Sequence, residues 1–164
     1  MSDALIHIRQ GFDSVDSREK ITQEQLDARI RWVETLRAKT YKKYRAKLAS
    51  VSTKSRCCLG VACAPEVLGF PVVTEQFDSC STFDGYDTQL PPSASSALGF
   101  VDQYPRVKMY GTKWVDGDPI SLADLNDAEP NGHPENGPKD RNWSHPQIAD
   151  LIEATYITPW LHLN

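Results

Sequence analysis

Ser55-Arg56-Cys57-Cys58-Leu59-Gly60-Val61-Ala62-Cys63 places three of the chain's four cysteines within seven positions. Tetrahedral metal sites usually set two ligands across a knuckle of roughly two to four residues and draw a second pair from elsewhere. The C-C-x4-C pattern does neither, and Cys80 stands alone downstream. The three thiols are therefore read as small apolar side chains that pack a tight turn, which assigns the segment to the interior. Cys57 and Cys58 are adjacent and cannot readily bridge each other. A Cys63–Cys80 bridge alone is too little staple for a secreted scaffold of this size, so four reduced thiols are expected.

The segment ends a basic stretch. Residues 18 to 56 hold twelve Lys/Arg against four Asp/Glu, while residues 57 to 164 hold five against fifteen. The net charge of −4 thus conceals a basic arm on an acidic body. With 164 residues, 40% of them hydrophobic, the chain builds one core, and a single domain spanning 1–164 is expected. No apolar run approaches the ~20 residues of a membrane span, and the start MSDALIHIRQGF lacks the charged-then-apolar signal pattern. The expected location is the cytoplasm, with no membrane partner.

Working outward, Thr22 and Gln25 form a capping box, and Leu26, Ile30, Val33 and Tyr44 recur at helical steps. A helix is predicted from there, breaking near Lys39-Thr40-Tyr41, with a second basic segment running to Leu48, so that 22–56 is read as a basic helical segment behind an N-terminal arm, 1–21. Leu59 to Ala64 reads as a short helix or turn, and Pro65 to Gly69 as another. Val72-Val73-Thr74 suits a strand, Glu75 to Gln89 a surface loop, and Pro91-Pro92-Ser93 the start of a helix closed by Gly99. Arg106–Tyr110 and Lys113–Val115 read as an antiparallel hairpin across Gly111-Thr112. Ser121 with Asp124 caps a short helix, and Ser144 with Gln147 opens another that carries Ile148, Leu151 and Ile152. Residues 126–143, dense in Asn, Pro and Gly, read as a mobile loop. The tail Thr158–Leu163 is an amphipathic plug. The fold class is α+β: mostly short helices with a small antiparallel β-hairpin.

In order and spacing, Trp32-Val33-Glu34-Thr35-Leu36-Arg37 with Tyr41, the Cys57–Cys63 segment, Leu90-Pro91, and Leu125-Asn126-Asp127 leading to Ile148-Ala149-Asp150-Leu151-Ile152-Glu153 resemble a family of small uncharacterised proteins encoded by tailed bacteriophages. The resemblance covers most of residues 32 to 153. It implies a phage accessory protein in the cytoplasm of the infected host cell and carries no activity over. The stretch between Asp127 and Ser144 is longer here than in the family pattern.

The basic arm is the strongest chemical lead, because Arg29, Arg31, Arg37, Lys39, Lys42, Lys43, Arg45, Lys47, Lys54 and Arg56 are interleaved with Trp32, Tyr41 and Tyr44, side chains that pair phosphates and stack on bases. The expected ligand-binding set is Arg37, Tyr41, Lys42, Lys43, Tyr44, Arg45 and Arg56, with Asn126 and Asp127 added from the resemblance. The arginines are expected to do most of the pairing. No catalytic residue, metal ligand or cofactor is assigned. A nucleophilic cysteine would need a base, and His133 and His145 have no placement beside the thiols in sequence. Turn formation and capping account for Asp116, Asp118 and Asp124. The expected function is binding: a host-defence antagonist that sequesters a nucleotide-derived signal or masks a host defence protein. A small Cys- or metal-dependent hydrolase and a nucleic-acid-binding regulator are the alternatives, the second disfavoured by the negative whole-chain charge. A homo-oligomer is compatible with the sequence.

Overall fold

The computed structural model describes residues 21–107, 120–127 and 143–161. Helix α1 (Gln23–Arg37) begins where the capping box predicts. Thr22 Oγ1 accepts from Gln25 N at 3.1 Å, and Gln25 Oε1 accepts from Thr22 N at 2.8 Å. Leu26, Ala28, Arg29, Trp32, Val33 and Leu36 bury one face of it. The helix stops because Lys39 takes up a left-handed conformation, φ 54°, just past the Ala38 cap.

The second half of the arm is not helical, which corrects the reading of 22–56 as one basic helical segment. It forms β1 (Lys42–Lys43), β2 (Ala49–Ser50) and β3 (Ser55–Arg56), turned by Ala46 and Thr53 at positive φ. Strands this short carry no period, and their backbone partners are distant in sequence: Lys42 N donates to Lys54 O, Tyr44 N to Arg56 O and Leu48 N to Asp87 O. The expected loop after Glu75 is likewise part of a hairpin, β4 (Thr74–Phe77) and β5 (Cys80–Phe83). The predicted strand at Val72 starts only at Thr74. The five strands make a mixed sheet in the order β1-β3-β2-β5-β4, parallel only between β1 and β3.

Between the sheet and α1 lies the cysteine segment, folded as α2 (Cys58–Ala62), followed by α3 (Pro65–Leu68) and Gly69 at φ 82°. Cys57, Cys58, Cys63 and Cys80 are all buried free thiols. Cys57 caps α2 by accepting from Gly60 N at 3.3 Å, and Trp32 Nε1 donates to Cys58 O at 2.9 Å. The glycine has a steric role: a Cβ there would stand 1.9 Å from the carbonyl oxygen of Leu48. Only a bare Cα lets α2 lie against the backbone that leads into β2.

Helix α4 (Pro92–Leu98) ends at Gly99, φ 74°, as the sequence indicates. Strand β6 (Arg106–Val107) pairs antiparallel with β7 (Ile120–Ser121). The expected strand Lys113–Val115 lies outside the described residues, as do the N-terminal arm to residue 20 and most of the 126–143 loop. Ser121 caps α5 (Leu122–Asn126), and Ser144 with Gln147 boxes α6 (His145–Ile152). From α6 the chain runs into a π-helix (Glu153–Ile157) and then α7 (Thr158–Leu161), which docks the tail through Pro159 and Trp160. One apolar cluster, from Leu26 to Trp160, joins these helices to Leu48 and Phe83 of the sheet side.

Gly60→Ala is expected to cost about 3 kcal/mol or more, since backbone and not a flexible side-chain end blocks the new methyl. Ala46, exposed at φ 67°, is strained for an L-residue. Ala46→Gly should therefore stabilise by about 0.5 to 1 kcal/mol. Urea titrations of the two variants check both signs.

Candidate functional site

The end of α1, strand β1 and the start of α6 converge on a cavity of about 360 Å³ lined by Lys39, Tyr41, Lys42, Lys43, Ser144, His145 and Pro146. Lys39 and Lys42 are exposed at its mouth, whereas Lys43 and Tyr41 are half-buried. Lys43 Nζ donates to the carbonyl of Trp143, so β1 and the entry to α6 are tied across a hundred residues of sequence. Burial and the neighbouring Arg45 charge push the Lys43 ammonium pKa down. Three lysines and the positive end of the α6 dipole give the cavity an anion-attracting field.

Its inner wall is built differently. Tyr41 is fixed on both sides: its hydroxyl donates to Glu66 Oε1 at 2.6 Å, and the Arg56 guanidinium stacks on its ring at 4.3 Å. Burial, with that hydrogen bond to Glu66, raises the phenol to about 12. His145 is 4% exposed, and its Nε2 is buried with no hydrogen-bond partner. Burial first, and the Lys43 charge second, lower its pKa to about 4, although the carbonyls of Arg56 and Tyr41 favour a ring proton. At neutral pH the imidazole is uncharged.

Of the residues expected to bind ligand, Tyr41, Lys42 and Lys43 line this cavity, and the others lie outside its lining. Arg37 pairs with Asp150 Oδ1 and Glu153 Oε2, both at 2.7 Å, which holds α1 to the end of α6. Arg56 is buried, donates to Thr53 O and Gly60 O, and lies between Tyr41 and Phe83. The arginines expected to do most of the pairing are absent from the lining of this cavity. Tyr44 reaches Ser79 O through its hydroxyl, and Arg45 is half-buried beside Lys43. Asn126 is a buried clasp: its Oδ1 accepts from Cys58 N at 3.0 Å, and its Nδ2 donates to Tyr44 O at 2.6 Å. Asp127 Oδ1 accepts from that same amide and from Ala46 N. The Asn-Asp pair fastens α5 to α2 and to the arm.

Lys39, Ser144, His145 and Pro146 were not in the expected site. The capping box places Ser144 and His145 at a helix start, but nothing in the sequence joins that start to β1.

The cysteine alternative fails on burial. A thiol at a helix N-cap is ordinarily eased toward thiolate. Here desolvation outweighs the backbone N–H groups: Cys57 is pushed up to about 12, and Cys58 and Cys63 are also raised. Among the described residues no group of three or more His, Cys, Asp or Glu side chains is arranged to hold a metal ion. Comparison of the chain with protein-family models, curated proteins and solved structures finds no match.

The buried imidazole predicts a pH dependence. Its folded-state pKa of about 4 lies below the ordinary 6.5, so the unfolded chain binds the proton more readily. The associated stability is complete above about pH 6.5 and is lost as pH falls toward 4, on the order of 2 to 3 kcal/mol. Carboxylates titrate alike in parent and variant and cancel in the comparison. Denaturant titrations at several pH values across that window should show a flatter profile for His145→Phe. Parallel profiles would place the imidazole in water.

Proposed function

We propose that this protein acts by binding a phosphorylated small molecule in the cavity between β1 and the N-terminus of α6. The observation that carries the reading is the joining of Lys39, Lys42 and Lys43 to that helix end around a cavity of about 360 Å³. Ammonium groups gathered at one cavity mouth can pair phosphate oxygens through several charge-assisted hydrogen bonds at once. The resemblance to tailed-phage proteins supports a setting for this chemistry: an accessory protein in the infected cell that sequesters a nucleotide-derived defence signal. The masking of a host protein is a second reading, favoured by β4, an edge strand with all four residues exposed, which includes Phe77 at 65% exposure and follows Val73 at 62%.

Thermal shift and calorimetry with inorganic phosphate, ribose 5-phosphate, nucleotides, ADP-ribose and cyclic dinucleotides test the first reading. At least one should bind, more weakly as salt rises. The double variant Lys39→Ala/Lys42→Ala should lose roughly 1 to 3 kcal/mol of that affinity while circular dichroism shows the fold intact. Binding unaltered by the double variant would move the site elsewhere. No binding by any probe would turn the reading toward the β4 surface.

A further inference from the structure

We infer that β4 takes up a strand from another protein, an extended segment of the pattern apolar-x-Lys/Arg-x-apolar whose basic residue lies opposite Glu75. The inference rests on the masking reading above and deepens it.

The backbone of the hairpin shows which groups the edge offers. Phe77 pairs with Cys80 across a two-residue loop, Asp78-Ser79, and at the far end Asp84 N donates to Val73 O at 2.7 Å. Bonded pairs alternate along an antiparallel ladder, so Val73, Glu75 and Phe77 are the residues that direct their N–H and C=O toward β5. Thr74 and Gln76 therefore turn theirs outward, to the side where no strand lies among the described residues. Donors and acceptors at this alternate spacing are what an added strand pairs with.

The side chains define the partner. Val73, Glu75 and Phe77 alternate onto one face, and all three are exposed. Glu75 has no ion pair among the described residues, and Asp78, also exposed, adds a second negative charge beside Phe77. A strand along this edge sets its own alternate side chains directly across from these three. Apolar groups there cover Val73 and Phe77, and a cation answers Glu75. Toward an antiparallel partner Glu75 occupies a non-hydrogen-bonded position, where opposed Cα atoms approach to about 4.5 Å, so the charge across from it counts most.

The same rule disfavours a second copy of this chain. Thr74 and Gln76 of one copy would bond to Gln76 and Thr74 of the other, and that register sets Glu75 against Glu75. Like charges directly opposite are destabilising. Sliding the register by one step in either direction leaves one bonded pair within the strand in place of two.

Titration of the ¹⁵N-labelled whole chain with the capped peptide Thr-Val-Thr-Lys-Thr-Val-Thr, up to millimolar, tests this. The amide resonances of Thr74 and Gln76 should move, and their hydrogen exchange should slow. The peptide with glutamate in place of lysine should bind at least about threefold more weakly, and Glu75→Lys should reverse the ranking. N-methylation of the two threonines that flank the lysine should abolish binding, because these face Thr74 and Gln76. Equal affinity for the lysine and glutamate peptides would overturn the basic pattern and leave β4 as an interface. Thr74 and Gln76 resonances that hold still with every peptide would overturn strand addition and remove this edge from the masking reading as well. Resonances that move with protein concentration alone would make the occupant a second copy and overturn the inference.

Discussion

Arg29 sets where the helices around α1 end. It is fully buried in the middle of that helix, and its guanidinium donates to Leu98 O at 2.7 Å, Tyr156 O at 2.9 Å and Gly99 O at 3.2 Å. Phe100, Tyr156 and Trp160 surround it, with ring centroids 4.7 to 5.4 Å from the guanidinium carbon. A charge this deep costs several kcal/mol to desolvate, and carbonyl dipoles with aromatic faces are what offset it. The carbonyls it uses are those a helix end leaves free. Helix α4 must stop at Leu98, and the π-helix turns the Tyr156 carbonyl inward. One side chain thus brings together segments 69 and 127 residues apart.

The same interaction explains what the sequence conceals. Wherever a cap chemistry names its own helix, the reading from sequence is close: Thr22 with Gln25, Ser121, Ser144 with Gln147, and the glycines at 69 and 99 sit where local physics puts them. Local rules carry no information about partners seventy residues away. Strands β1, β2 and β3 are two residues each and exist only through pairings with other strands, such as Lys42 with Ser55 and Ala49 with Ser81, so the arm's second half reads as helix. Arg29 and Arg56 look like surface cations because arginine usually is one. Nothing in a linear string shows three carbonyls converging on the first, or two rings closing on the second.

The candidate site was half legible for the same reason. Tyr41, Lys42 and Lys43 follow from a basic-aromatic run, whereas Ser144 and His145 arrive by tertiary folding alone. Desolvation then decides the chemistry of each group: it keeps an imidazole neutral beside a lysine, and it keeps the Cys57 thiol protonated at a helix start. In both cases the penalty for a charge in the interior exceeds the local electrostatic help.

The four buried thiols also make the protein its own gauge of opening. A reagent reaches a sulfur only when the surrounding structure parts, so the rate of thiol labelling in the folded state reads the population of open forms. Cys57 caps the start of α2 and Cys58 is its first residue, Cys63 lies just past the end of α2, and Cys80 in the hairpin strand β5. Agreement among the labelling rates would describe one cooperative unit, and an early Cys80 would mark the hairpin as a separately opening piece. The measurement needs no introduced probe and no altered residue.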